Sequence, residues 1–187
     1  MSRSEAPRRG SRACVNVPTS RILPQRASLV MSGFILDLAT LPRGASRALL
    51  ESEAVELGLP VGQWPWKVHA ELDLDLSGEQ ISVRGKLVAV AQLECVRCLR
   101  DFELPLQVPF EAYAERSGSG RRSGDEKVLE RDRFMLFHDG RRLDLREHAR
   151  ETLLLEIPMA PRCRELCRGL CPRCGADLNE APCSCQD

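Results

Sequence analysis

An alternation of apolar and acidic residues marks the middle of the chain. In HAELDLDL, every second position from Ala70 to Leu76 is apolar, and the positions between them carry carboxylates. This period of two is that of a β-strand with one buried and one solvent-facing side. A turn at SGEQ follows. The stretch ISVRGKLVAVAQLE then predicts a second strand, in which Gly85 is expected to form a β-bulge.

A third strand is predicted by DFELPLQVPFEAYAE, where apolar side chains recur at alternate positions from Phe102 to Phe110. Pro105 and Pro109 lie on its other face. Because proline has no amide hydrogen for a sheet ladder, we expect this strand to lie at a sheet edge or to bend there. A CVRC motif separates the second and third strands, so its two cysteines are predicted at the tip of a long hairpin.

Shorter elements flank this hairpin. FILDL predicts a short strand, and ASRALLESEAVEL, residues 45–57, is interpreted as a helix of about three turns. RFMLFHDGRRLDL predicts a second hairpin whose turn holds Asp139 and Gly140, a dipeptide that tolerates positive backbone φ angles.

The last regular element is predicted to be a helix. Asp144 followed three residues later by Glu147 resembles a capping box, apolar residues recur beyond it at helical spacing, and Pro158 ends the pattern. Together these elements predict an α+β, mainly β fold. It consists of an antiparallel sheet or partly closed barrel with a C-terminal helix and a cysteine-rich zinc-binding tail.

Composition excludes several classes of protein. The chain has 187 residues, enough for one domain of ordinary size, and its 27 basic residues balance its 27 acidic ones, so net charge indicates no polyanionic partner. No apolar run is long enough to span a membrane. Residues 1–30 contain no apolar signal segment, which predicts a reducing compartment, the cytoplasm. Without a phosphate-binding glycine loop or a nucleophile elbow, we expect neither enzymatic activity nor a small-molecule substrate.

Eight of the nine cysteines fall into two stretches, the CVRC motif and the tail CRELCRGLCPRCGADLNEAPCSC. Their positions are Cys95, Cys98, Cys163, Cys167, Cys171, Cys174, Cys183 and Cys185. Four thiolates complete the tetrahedral shell of a structural zinc ion, so one or two such ions are predicted. A disulfide framework and redox-active thiols are the alternatives. Cys14, remote from the others, is interpreted as an uncoordinated thiol.

The division of these cysteines between ions is open at this point. The preferred division joins the CVRC pair to Cys163 and Cys167 and places the last four cysteines on a second ion, because CPRCG is typical of a zinc-knuckle turn. Interleaved sets, or a single site with four spare thiols, are the alternatives.

Three segments together resemble the YceD family of large ribosomal RNA subunit accumulation proteins: LECVRCLRDFELPL, DLREHARETLLLEIPMAP and the cysteine tail. The resemblance runs from about Phe34 to the C-terminus. It implies a non-enzymatic factor for the accumulation, processing or assembly of large-subunit ribosomal RNA, with that RNA or a pre-ribosomal particle as partner. We accordingly divide the chain into a disordered arginine-rich leader (1–32), a YceD-like β-rich domain (33–160) with a flexible loop at 116–126, and a zinc-binding tail (161–187) packed on the CVRC hairpin.

Five arginines near the cysteines are candidate RNA contacts: Arg97, Arg100, Arg164, Arg168 and Arg173. Guanidinium groups bind phosphate oxygens, and such binding weakens steeply with salt. The competing interpretation is that these arginines neutralise and hydrogen-bond the thiolates. A different class of function is a protein-interaction adaptor without RNA contact. It would bind a basic ribosomal protein through the acidic strand face of Glu71, Asp73 and Asp75.

Overall fold

The computed structural model describes residues 28–116 and 135–185. Within these residues the chain forms eight β-strands, a short 3-10 helix at Ala54–Leu57 and one α-helix, α1, at Arg146–Leu155. The strands are β1 Ser28–Ser32, β2 Ile35–Asp37, β3 Gly44–Glu53, β4 Lys67–Ser77, β5 Gln80–Glu94, β6 Asp101–Arg116, β7 Met135–His138 and β8 Arg142–Asp144. No helix in this part of the chain has the length and hydrophobicity that a bilayer crossing requires.

Six strands form one sheet in the order β1-β3-β4-β5-β6-β7. Strands β3 to β6 are antiparallel to one another, whereas β1 runs parallel to β3 and β7 runs parallel to β6. The mainly β prediction is therefore confirmed, but the sheet is mixed, and in the described residues its strand order is linear rather than closed into a barrel. β1 is parallel to β3 because the chain first passes through β2, which pairs with β8 in a second sheet.

The core lies between one face of the large sheet and a second layer made by β2, β8 and α1. Alternate side chains of β4, β5 and β6 are buried, as the sequence predicted. They join the second layer in one continuous cluster, in which Leu36, Leu143 and Leu153 are fully buried. The other face of the sheet carries mainly charged side chains, as expected for an antiparallel arrangement with one solvated side.

The helix predicted for residues 45–57 is wrong over most of its length, because residues 44–53 form β3 and only the last four residues are helical. The buried positions of β3 are Ser46, Ala48, Leu50 and Ser52. Two of these are serines, and Leu49 lies on the exposed face, so the period of two is hidden in the sequence. Pairing with β1 and β4 overrides the helix propensity of the alanine, leucine and glutamate residues.

The hairpin predicted around Asp139 and Gly140 is also wrong, although its turn is present. Gly140 has a φ of 89°, and the Asp139 carboxylate accepts hydrogen bonds from the amides of Arg141 and Arg142 at 2.7 and 2.6 Å. The flanking strands separate, since β7 pairs with β6 and β8 pairs with β2. A turn signal is local and does not show that two strands join different sheets.

Gly85 allows close backbone packing and does not form the predicted bulge. The pairing of β5 with β4 and with β6 continues past it without an extra residue. A Cβ at this position would collide with the carbonyl oxygen of Glu71 and would lie 3.0 Å from the Cα of Leu72. The position therefore requires the absence of a side chain.

The prolines of β6 lie where this strand has a single neighbour among the described residues. β6 pairs with β5 along its whole length, but with β7 only from Tyr113 to Arg116. Pro105 and Pro109 precede this segment, so the predicted edge position is confirmed.

Helix α1 confirms the predicted C-terminal helix and buries Ala149 and Leu153. Oδ1 of Asp144 accepts a hydrogen bond from the amide of Arg146, the first residue of the helix, at 3.0 Å. The same carboxylate forms an ion pair with the Arg146 guanidinium at 2.6 Å, and among the described residues no bond from the Glu147 side chain completes a capping box. The helix and the contact of Asp144 with its first turn are therefore confirmed, whereas the reciprocal contact expected from Glu147 is absent.

Two predicted segments fall mainly outside the described residues. The arginine-rich leader does so up to residue 27, whereas residues 28–32, which the sequence placed in that leader, form edge strand β1. The loop predicted at 116–126 lies outside the described ranges beyond Arg116, the last residue of β6.

Candidate metal centre

The eight cysteines of the described residues lie in two compact groups, and within each group the four sulfur atoms are all within 4.8 Å of one another. One group, the hairpin site, consists of Cys95, Cys98, Cys163 and Cys167. The other, the tail site, consists of Cys171, Cys174, Cys183 and Cys185. This is the division that the sequence favoured. Cys14 lies outside the described residues.

The hairpin site begins at the tip of the β5–β6 hairpin. The paired register of the two strands extends to Glu94 opposite Asp101, and the CVRC turn lies just beyond this pair. The amide of Cys95 donates a hydrogen bond to the carbonyl of Arg100 at 3.0 Å, which closes the turn. As predicted, a long hairpin presents the first two thiols at its tip.

The tail crosses this tip through backbone hydrogen bonds. The Val96 amide donates to the carbonyl of Pro161, and the Leu170 amide donates to the carbonyl of Arg97, both at 3.0 Å. These two bonds bracket the segment that carries the other two thiols of the hairpin site. The site therefore joins parts of the chain that are 65 residues apart.

The sulfur spacing fits a tetrahedral metal ion. The Sγ atoms of Cys95 and Cys167 are 3.8 Å apart, and those of Cys98 and Cys163 are 3.7 Å apart. Four zinc–sulfur bonds of about 2.3 Å in tetrahedral geometry separate neighbouring sulfurs by about 3.8 Å, whereas a disulfide requires about 2.05 Å. None of the eight cysteines is disulfide-bonded. The donor set thus suits a metal with four thiolate ligands.

In the hairpin site the pKa of one thiol is lowered and that of a neighbouring thiol is raised. Backbone hydrogen bonds, foremost the one from Cys163, lower the pKa of the Cys95 thiol to about 6. Burial, followed by the neighbouring Cys98 thiol, raises the pKa of Cys163 to about 12. Four thiolates therefore do not coexist here without a cation that offsets their mutual repulsion.

In the tail site, too, the pKa of one thiol is lowered and that of another is raised. The backbone amides of Cys174 and Arg173 lower the pKa of Cys171 to about 6. The Cys174 thiol and burial raise the pKa of Cys185 to about 11. This group also needs a cation before all its sulfurs can ionise together.

The two sites differ in their access to solvent. In the hairpin site three of the four cysteines are buried, and Cys167 is only 1% exposed. In the tail site Cys171 is buried, but Cys174 is exposed. The hairpin site is thus integrated into the body of the domain, and the tail site is more open.

The two CxxC turns have the same backbone geometry. In each turn the residue after the second cysteine donates to the carbonyl of the first, from Leu99 to Cys95 and from Gly175 to Cys171, both at 2.9 Å. These residues also share a left-handed conformation, with φ of 55° at Leu99 and 73° at Gly175. A residue with a Cβ is strained in this region by roughly 1–2 kcal/mol, whereas glycine is not.

Leu99→Gly is expected to raise the free energy of unfolding by about 1 kcal/mol, since it removes this strain. The leucine side chain is 58% exposed, so little packing is lost. Chemical denaturation of the metal-loaded protein measures the change, with Leu99→Ala as the matched variant that keeps a Cβ. Equal stability of the glycine and alanine variants would contradict the strain.

Arginine side chains dock the tail on the hairpin. Nη1 of Arg97 donates to the carbonyl of Cys167 at 2.8 Å. Nη2 of Arg100 bonds the carboxylates of Asp177 and Glu180 at 2.8 and 3.0 Å. The acceptors are oxygens, so these two arginines hold the tail in place and do not hydrogen-bond the thiolates.

Two residues that the sequence analysis did not single out complete the site. Nδ2 of Asn179 lies 3.5 Å from the sulfur of Cys167, and its Oδ1 accepts a hydrogen bond from the Arg168 amide at 2.8 Å. Gly169 has a φ of 77°, and a Cβ there would lie 2.9 Å from the carbonyl oxygen of Arg97. The sequence offered a signal for Gly169 alone, because a residue without a side chain lies there between the ligand cysteines Cys167 and Cys171.

All five arginines predicted to contact RNA are exposed. Arg97 and Arg100 are engaged in tail docking, and Arg173 approaches the carbonyl of Cys185 at 3.4 Å. The guanidinium groups of Arg164 and Arg168 form no hydrogen bond or ion pair with the described residues. The structure thus separates two free guanidinium groups from three that contact the protein.

Comparison with known proteins identifies relatives of this chain. Residues 83–187, which include both cysteine sites, match the family model described as large ribosomal RNA subunit accumulation protein YceD. An uncharacterized protein of Mycobacterium leprae is 30% identical over 162 residues, which is 82% of this chain and 71% of the relative. The chloroplastic YCED homolog 1 of Arabidopsis thaliana, whose name gives it as a large ribosomal RNA subunit accumulation protein, is 38% identical over 173 residues, 80% of this chain.

The matches differ in how much of each relative they cover. An uncharacterized protein of Mycobacterium tuberculosis is 35% identical over 120 residues, or 60% of this chain. The chain spans 54% of the length of this relative and 54% of the Arabidopsis protein. No solved structure matches the chain.

Proposed function

The chain belongs to the YceD family, and we propose on this basis that it is a non-enzymatic factor for the accumulation, processing or assembly of large-subunit ribosomal RNA. The observation that carries the proposal is the family match over residues 83–187, which contain the hairpin tip, the tail and all eight grouped cysteines. The proposed partner is the large-subunit rRNA or a pre-ribosomal particle, and the proposed compartment is the cytoplasm.

Each cysteine site is proposed to hold one structural zinc ion. Zinc suits four thiolates in tetrahedral geometry and supplies a redox-inert cross-link when bound. The chain's own residues align this cross-link: Arg97 and Arg100 fix the tail across the hairpin, and Asn179 lies against one sulfur. The zinc of the hairpin site would therefore make the tail and the sheet one rigid surface.

Direct RNA contact is proposed for this surface, chiefly through Arg164 and Arg168. Their exposed guanidinium groups are free to bind phosphate oxygens in a bidentate manner. The adaptor alternative is less well supported. Two of its three carboxylates already have basic partners in the sheet, since Lys86 bonds Glu71 at 3.1 Å and Arg47 bonds Asp73 at 3.2 Å.

Replacing Arg164 and Arg168 together by glutamine is expected to weaken RNA binding and reduce its salt dependence. Each phosphate contact on a single strand contributes about 0.7 to the slope of log K against log salt, so the slope should fall by about 1.4. Titration of RNA at several salt concentrations measures it. Arg43→Gln, which removes an exposed arginine at the other end of the sheet, is the control and should leave the slope unchanged. A double variant with an unchanged slope contradicts the assignment.

The function itself is tested by deleting the gene in the organism of origin and measuring the ratio of large-subunit to small-subunit rRNA. The proposal expects a lower ratio that the wild-type gene restores and a Cys167→Ser gene does not. An unchanged ratio in the deletion strain would refute the proposal. Recovery of a single ribosomal protein with the factor after nuclease treatment, without RNA crosslinks, would favour the adaptor.

A further inference from the structure

Exposed apolar residues adjoin the cysteines of the hairpin site in sequence. Val96, Leu99 and Leu166 are 51%, 58% and 84% exposed, and each is the sequence neighbour of a hairpin-site cysteine. None of the three belongs to either buried cluster. The clustering of the four sulfurs brings these three residues to the same part of the fold, and exposed apolar side chains that lie together mark interaction sites.

Leu99 adds a second, independent observation. Its left-handed backbone is the conformation that Gly175 adopts without strain in the equivalent turn of the tail site. The chain therefore carries a strained leucine where glycine would fit, and this side chain stabilises no part of the core. Backbone strain of this kind concentrates at functional positions, where the side chain contacts a partner.

Two free cations adjoin the apolar side chains. Arg164 and Arg168 lie two residues before and two residues after Leu166, and both are exposed. Apolar and guanidinium side chains exposed in the same segment match a ligand that presents a flat apolar face next to negative charge. An unpaired nucleotide, with its base and flanking phosphates, has this chemistry.

We propose that the surface formed by Val96, Leu99, Leu166, Arg164 and Arg168 binds unpaired nucleotides of the large-subunit rRNA. The aliphatic side chains contact an exposed base face, and the two guanidinium groups hold the neighbouring phosphates. This inference rests on the direct RNA contact proposed above and specifies the form of RNA that is bound.

Duplex RNA does not fit this surface. In an A-form helix the base faces are stacked inside and the major groove is too narrow for side chains, so the exterior offers phosphates, sugars and the edges of the minor groove. The guanidinium groups would find partners on a duplex, but the apolar side chains would not. Loops and single strands expose base faces and satisfy both parts of the surface.

Leu99→Gly separates base contact from folding, because glycine suits the turn and should keep it intact. The experiment measures fluorescence anisotropy of a labelled single-stranded RNA of mixed sequence, and of the duplex made from it and its complement. Because the variant loses the apolar area that leucine buries against a base, it is expected to bind the single strand roughly tenfold more weakly and the duplex within about twofold of the wild type. Metal content should be unchanged. Val55→Ala, which trims an exposed apolar side chain on the 3-10 helix, is the control and should change neither affinity.

The outcomes distinguish this inference from the proposed function. A Leu99→Gly variant that binds the single strand as tightly as the wild type overturns the inference alone. The inference also fails if both RNAs are weakened equally, or if the variant keeps its RNA affinity but loses a copurifying protein. Wild-type protein that binds neither RNA overturns direct RNA contact together with this inference.

Discussion

Cys167→Ser should lose the metal ion of the hairpin site and release the tail from the β5–β6 tip. Cys167 is 1% exposed, and its sulfur lies 3.8 Å from that of Cys95, where a serine hydroxyl is a much weaker zinc ligand. Structural zinc contributes about 10–16 kcal/mol of apparent binding free energy in small zinc-binding peptides at pH 7, as much as the stability of a whole domain. Elemental analysis of the purified protein should show about one metal equivalent fewer per chain.

Matched cysteine variants locate the effect. Cys171→Ser should also lose about one equivalent, but it should loosen only the tail site, and Cys14→Ser should lose none. Hydrogen exchange at the Val96 and Leu170 amides, which bond the tail across the hairpin, should accelerate in Cys167→Ser and not in the other two. The sheet should persist in all three variants. An unchanged metal count in Cys167→Ser or Cys171→Ser would refute the assignment of these cysteines.

Gly85→Ala should destabilise the domain by about 3 kcal/mol or more, the second large effect we expect. The added Cβ would meet the carbonyl oxygen of Glu71 in the neighbouring strand, and backbone atoms paired on both sides of β5 cannot move aside easily. Chemical denaturation, followed by circular dichroism, measures the shift in midpoint.

Gly62→Ala is the control for this substitution, since no heavy atom lies within 4 Å of the position its Cβ would take. Its free energy of unfolding should change by less than about 0.5 kcal/mol. If the two alanine variants are equally stable, close backbone contact does not explain the glycine at position 85.

Local patterns predicted the central strands, because their alternation is visible over neighbouring residues. β4 alternates leucine with carboxylates, and β5 and β6 keep the same period, so their buried faces were correctly identified. β3 was missed because two positions of its buried face hold serines, Ser46 and Ser52, which hide the apolar alternation. β1 was missed because a strand of five residues at a sheet edge is too short to show a clear pattern. Both segments form strands because they pair with neighbouring strands, β1 with β3 and β3 with β4.

The grouping of the cysteines was accessible from the sequence, whereas the roles of the nearby arginines were not. CVRC and CPRCG each predict a turn that presents two thiols. The remaining four cysteines could be assigned to the two sites by their order along the chain. Arg100 bonds Asp177, which is 77 residues away, so no spacing rule connects them. Asn179 was missed for a similar reason, because its contact with a sulfur depends on how the tail folds back.

Taken alone, the amino-acid sequence determined the long β5–β6 hairpin, the eight candidate cysteine ligands and the family, because these follow from periodicity and order among near neighbours. Only the tertiary structure decided that the outer strands are parallel and that β7 and β8 belong to different sheets. It also decided that Arg97 and Arg100 bind the tail while Arg164 and Arg168 are free of such contacts. These features join residues that are far apart in the chain, and their energies depend on packing and hydrogen-bond geometry that no local pattern contains.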